Sequence, residues 1–142
     1  MPRRLNDSIV ARQAIAPTVT SGALTGIAVN GTGYSRARFV FQFGSGSGTT
    51  ATLAAGSAAW QCATSGGTYT PITGADLAAV SSGVMSGANN VMIVDVPISP
   101  SYPWLKASAT VNSSIINNSC VVELYNGVNR PASTTEQQVV VV

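Results

Sequence analysis

Between Arg36 and Phe43 apolar and polar residues take turns along the chain. Phe39, Phe41 and Phe43 fall on one side, and Arg38, Val40 and Gln42 on the other. Side chains of a strand point alternately to its two faces, so this two-residue period predicts a strand with one buried face. The same alternation recurs in short blocks. Segment 23–29 sets Leu24 against Thr25 and ends at Asn30-Gly31, a strong turn dipeptide. Segment 57–64 puts Trp60, Cys62 and Thr64 on one face, and Ser65-Gly66-Gly67 turns it into 68–72, which predicts a hairpin. Segment 91–98 is a strand candidate whose Pro97 argues for an edge or an end. After the rigid turn at Pro100–Trp104, two further strands are predicted over 104–111 and 119–125, the latter setting Cys120, Val122 and Leu124 against Val121, Glu123 and Tyr125.

Other stretches break the pattern. Residues 6–16 admit a short helix or an extended arm, Gly44–Gly48 reads as a flexible loop, and 74–80 as a single helical turn. Asn112, Asn117 and Asn118 read as turn formers. Six to eight short strands with turn signals between them predict an all-β fold, an antiparallel β-sandwich or jelly-roll-like single domain. It spans residues 21–131, with an N-terminal arm over 1–20 and an extended C-terminal tail over 132–142. The last four residues, Val139, Val140, Val141 and Val142, would be an aggregation hazard if left bare. They make sense as a strand added to a sheet, in the chain's own domain or between subunits.

Composition then narrows the function. Only 8% of the 142 residues are charged, none is histidine, and the formal net charge is +2. General acid–base catalysis, nucleophile activation and metal capture draw mainly on His, Asp, Glu, Lys and Cys, which are absent or scarce here. The acidic residues Asp7, Asp76, Asp95, Glu123 and Glu136 are scattered, and the single lysine, Lys106, has no framing motif. The expectation is a protein without enzymatic activity, cofactor or metal. Gly44–Gly48 lacks the lysine and the following helix of a phosphate loop. The basic residues are too few for a nucleic-acid footprint, and no apolar run is long enough to predict a membrane-spanning helix. With little charge to keep copies apart, self-association is unopposed. Arg3, Arg4 and Arg12 on the arm, and Arg36 and Arg38 on an outward strand face, are the candidate contacts to an acidic partner surface. Cys62 and Cys120 are either core thiols or a disulfide pair. Trp60, Tyr69, Tyr102, Trp104 and Tyr125 are the candidates for a sugar-binding platform.

The run Gly33-Tyr34-Ser35-Arg36-Ala37 through Phe39-Val40-Phe41, then Trp60-Gln61-Cys62-Ala63-Thr64-Ser65, Tyr69-Thr70-Pro71-Ile72 and Gly74-Ala75-Asp76-Leu77, resembles a group of small tailed-bacteriophage virion proteins. So do Trp104–Val111, Val121–Leu124 and Arg130-Pro131. The chain departs from that pattern in the order of Gln61 and Cys62, at Lys106, and in its valine tail. The resemblance implies a capsid decoration or cement protein, made in the host cytoplasm and carried on the outer surface of the virion. Its implied partners are the major capsid protein and sister copies in a homo-oligomer, a trimer at a local threefold axis. A head fibre, tail or baseplate component and a carbohydrate-binding adhesin module are the alternatives.

Overall fold

The computed structural model describes residues 9–47, 51–53, 56–76, 84–85, 90–126 and 137–141. Among them there is no helix, and two sheets pack together as a β-sandwich, as the alternating blocks predict. The strands are β1 (Ile9–Thr25), β2 (Val29–Asn30), β3 (Arg36–Ser47), β4 (Ala51–Leu53), β5 (Ala59–Cys62), β6 (Thr70–Pro71), β7 (Val84–Met85), β8 (Asn90–Pro97), β9 (Trp104–Tyr125) and β10 (Gln137–Val141).

Strand β9 organises the molecule. Its second half lies between β1 and β3, and the first sheet continues outward through β8 to β10. Its first half pairs with β2 and β5 to make the second sheet, with β6 added beside β5. β1 follows β9 through both, from Ile9 opposite Tyr125 to Thr25 opposite Ser108. All these pairings are antiparallel except that of β10 with β8.

One apolar cluster joins the inner faces of both sheets. Phe39, Phe41, Phe43, Met92, Val94, Val96, Cys120, Val122 and Leu124 enter it from the first sheet, and Leu24, Val29, Ala59, Leu105 and Ala107 from the second. The alternation in β3 is obeyed from Arg36 to Phe43, with Ala37, Phe39, Phe41 and Phe43 all buried. The rings of Phe41 and Phe43 stack with centroids 6.0 Å apart. Where the chain leaves β1 it passes close under its neighbours. Gly26 N–H donates to Ala107 O at 2.8 Å and Ile27 N–H to Ala14 O at 2.9 Å. A Cβ at Gly26 would sit 2.6 Å from Ala14 O and 3.1 Å from Ala107 O, so only glycine fits.

Several expectations are corrected. The arm does not extend to residue 20, because Ile9–Thr25 is an integral strand with Ala14 and Ile15 buried. Register shifts between Gln13 and Ile15, and again before Thr18, break its two-residue period and hid it in the sequence. The predicted strands 104–111 and 119–125 are one strand of 22 residues, so Asn112, Asn117 and Asn118 are strand residues and not turn formers. Cross-strand pairing, of Asn112 with β4, of Asn117 with β1 and of Asn118 with both β1 and β3, outweighs their local turn preference. Likewise β3 runs on through Gly44–Ser47, which pair with β9 after a register shift. The hairpin is present as β5 and β6, and Pro97 closes β8. Of the helical turn, residues 77–80 lie outside the described residues.

Candidate interaction surfaces

The outer face of the first sheet carries Arg36 and Arg38 on β3. Strand pairing sets Arg38 opposite both Asp95 and Glu123, and Arg36 opposite Tyr125. Both guanidinium groups are consequently engaged within the chain. Arg36 Nε donates to Asp95 Oδ1 at 2.8 Å, and Arg38 pairs with Glu123. Asp95 is the more deeply placed carboxylate, only 2% exposed, and its Oδ2 accepts the Tyr125 hydroxyl. Each oxygen of the buried carboxylate therefore has a donor, as burial of a charge requires. Burial opposes the charge on Arg36, but its hydrogen bonds to Asp95 and Tyr125 prevail and raise its pKa. Burial, reinforced by the bond to Asp95, pushes the Tyr125 phenol up as well. Both arginines keep part of their surface in water, yet their charge is already met internally. Arg12 on β1 is exposed and bonds the carbonyl of Ala11. Arg3 and Arg4 lie outside the described residues.

The edge of this sheet is formed by the tail. Gln137–Val141 runs parallel to β8, with Val139, Val140 and Val141 opposite Ile93, Val94 and Asp95; Val142 lies outside the described residues. The tail thus pairs within its own chain in this single-chain structure. The topology is unusual for so short a strand. Tyr125, at the end of β9, shares its end of the sheet with Arg36 and Pro97, whereas β10 begins opposite Val91 at the other end. Strand rise and spacing put these two points roughly 24 Å apart. The twelve residue steps between them reach about 40 Å when extended, enough to cross.

On the outer face of the second sheet, Trp60 sits opposite Lys106, and Thr25 opposite Ser108. Together with Tyr69 and Ala107 they line a cleft of about 220 Å³. The Lys106 ammonium lies 4.3 Å above the centre of the Tyr69 ring, within cation–π range. Of the aromatic residues proposed as a platform, Trp60 and Tyr69 come together here, while Tyr125 is buried with Asp95 in the other sheet. Lys106 was not expected at this site. Its equal parity with Trp104 on an alternating strand was the available signal.

A larger groove of about 390 Å³ lies at the far end of the first sheet, between Pro17–Val19, Gln42–Gly44 and Asn117–Ser119. Cys62 and Cys120 are both buried and both free, so they are thiols and not a disulfide. Cys120 points into the core and burial drives its pKa well up. Cys62 is instead covered by the hairpin loop, where a Cβ on Gly67 would meet its Sγ at 2.6 Å. Among the described residues no three Cys, Asp or Glu side chains gather to hold a metal ion.

Comparison of the chain with protein-family profiles, with curated proteins and with solved structures finds no match.

Proposed function

We propose that the protein is a non-enzymatic structural subunit of a phage virion, a decoration protein that binds the outer capsid surface and bridges major capsid subunits. The observation that carries this reading is the parallel β10 at the sheet edge. Its pairing to β8 is made by backbone groups, so a sister copy can supply the same strand in the same register. Strand exchange of this kind closes rings around a symmetry axis, and a trimer is the natural product at a threefold site. The low charge supports the same reading. A formal net charge of +2, with Arg36 and Arg38 paired internally, leaves a face on which many copies can stand close together. Repeated weak contacts then gain strength through effective concentration. Residues 1–8, with Arg3 and Arg4, are the segment offered to the capsid, and Arg12 lies exposed on the strand that follows them.

Two truncations test this on purified capsids. Removal of residues 1–8 leaves β1 intact and is expected to lower capsid occupancy without changing the oligomeric state. Removal of residues 137–142 is expected to lower the oligomeric state measured by light scattering. Full occupancy in the first case, and an unchanged assembly in the second, would overturn the respective roles. Many copies per particle fit a decoration protein; few copies would move the chain to a head fibre, tail or baseplate.

A further inference from the structure

The cleft on the second sheet has the makings of a ligand site that shell assembly does not use. Its two aromatic rings are held rather than merely present. Trp60 Nε1–H donates to Ser57 O at 2.9 Å, and the Tyr69 hydroxyl donates to Ser65 O at 3.1 Å. Tethering the polar edge of each ring fixes its face before any ligand arrives, which reduces the ordering cost of binding. Burial, then the neighbouring Cys62, pushes the Tyr69 phenol up, so it remains a neutral donor at physiological pH.

Lys106 supplies the charge. It is the only lysine in the chain, and among the described residues no carboxylate lines the cleft. Arg36 and Arg38, by contrast, both meet acidic partners. The Lys106 ammonium rests on the face of Tyr69, an attraction that does not consume its N–H donors. Thr25 and Ser108 add two hydroxyl groups at the rim, each able to donate and accept.

A fixed indole ring, a cation seated on the Tyr69 ring and two hydroxyls describe a complement to one kind of ring. The C–H face of a sugar is electropositive and apolar and lies well on the electron-rich face of an aromatic ring. Its hydroxyls match Thr25 and Ser108, and a carboxylate on the ring would answer Lys106. A volume near 220 Å³ falls below that of sites for drug-sized molecules and suits a single ring. We propose that the cleft formed by Trp60, Tyr69 and Lys106 binds a carboxylate-bearing sugar residue, such as a uronic acid within an acidic surface polysaccharide. A peptide carboxylate would use the lysine but leave the tethered Trp60 ring and the two hydroxyls without a role. This site is independent of the shell reading, and either can fail alone.

Titration of the isotope-labelled full chain with glucuronate, glucose and acetate, followed by amide and indole NMR, tests it. Glucuronate is expected to shift the Trp60 indole N–H and the Ser108 amide saturably. Its affinity should exceed that of glucose or of acetate by about five-fold or more. Lys106→Met should reduce glucuronate to the level of glucose, and Lys106→Arg should retain part of the preference. Absence of a saturable shift at about 100 mM glucuronate would overturn the proposal. Equal affinity for acetate would make the cleft a carboxylate site open to acidic peptides, and equal affinity for glucose would remove Lys106 from recognition; both refute it. The comparison of the three probes on the unaltered chain decides the matter even if a variant does not fold.

Discussion

Replacing Arg36 by methionine should destabilise the protein far more than the same change two residues along at Arg38. The two side chains occupy one face of one strand and are equally exposed, 19% each. What differs is the acid each leaves behind. Asp95 has a side chain only 3% exposed, whereas Glu123 is 26% exposed and regains water when its partner goes. Removing one partner of a buried pair strands the other charge and costs about 3–5 kcal/mol. A pair whose two ends both keep contact with water, as Arg38 and Glu123 do, lies nearer the surface range of about 0.2–1 kcal/mol. Against a total stability of about 5–15 kcal/mol for a domain, the first loss is severe and the second slight. Urea unfolding followed by tryptophan fluorescence and circular dichroism, with linear extrapolation to water, measures both. A further variant separates the pair from its packing. Arg36→Met combined with Asp95→Leu and Tyr125→Phe removes these three polar side chains together and should recover most of the loss. Equal effects of Arg36→Met and Arg38→Met, or no recovery in the triple variant, would refute the reasoning.

Two further outcomes can be checked on the isolated protein. Cys120 keeps its proton in the fold well above the pH at which the unfolded chain releases it, ordinarily near 9.0. Stability is therefore whole below that pH and declines above it, by up to about 1.4 kcal/mol per pH unit for this one group. Unfolding measured from pH 8 to pH 10 should show that slope, and Cys120→Ala should reduce it; the raised phenols of Tyr125 and Tyr69 extend the decline above their ordinary value of 10.0. Gly26→Ala forces a methyl group against the carbonyls of Ala14 and Ala107, and the backbone shift should cost about 1–3 kcal/mol. The same substitution at Gly66, where the added carbon meets nothing, is the control and should leave the melting temperature nearly unchanged.

The strands that the sequence reveals are those whose alternation is unbroken and whose ends carry turn residues. β3 shows its apolar face in Phe39, Phe41 and Phe43, and the β5–β6 hairpin shows its turn in Ser65-Gly66-Gly67. β1 was hidden because its bulges shift the period partway along, and residues on either side of a shift no longer keep one rhythm. In β9 the asparagines and serines around residue 115 carry a local signal for turns that pairing with β1 and β3 overrides. The site residues were legible one at a time but not in their associations. Nothing near Arg36 announces Asp95, 59 positions away, or the Tyr125 that completes the cluster. Lys106 and Trp60 become neighbours only through the β5–β9 register.

Dependence on β9 also sets a timetable for synthesis. Of the described strands, β1 finds its pairing partner only in a strand about a hundred residues later, and β2, β3, β4 and β5 also pair with that later strand. The β3–β8 and β5–β6 pairings can form earlier, but neither sheet is completed until β9 has emerged, and closure of such long loops makes folding slow. During that interval Phe39, Phe41 and Phe43 have no inner face to join, and the weakly charged chain has little repulsion to keep nascent copies apart. The strand that unites the finished sandwich is thus also the step at which its production is most exposed to aggregation.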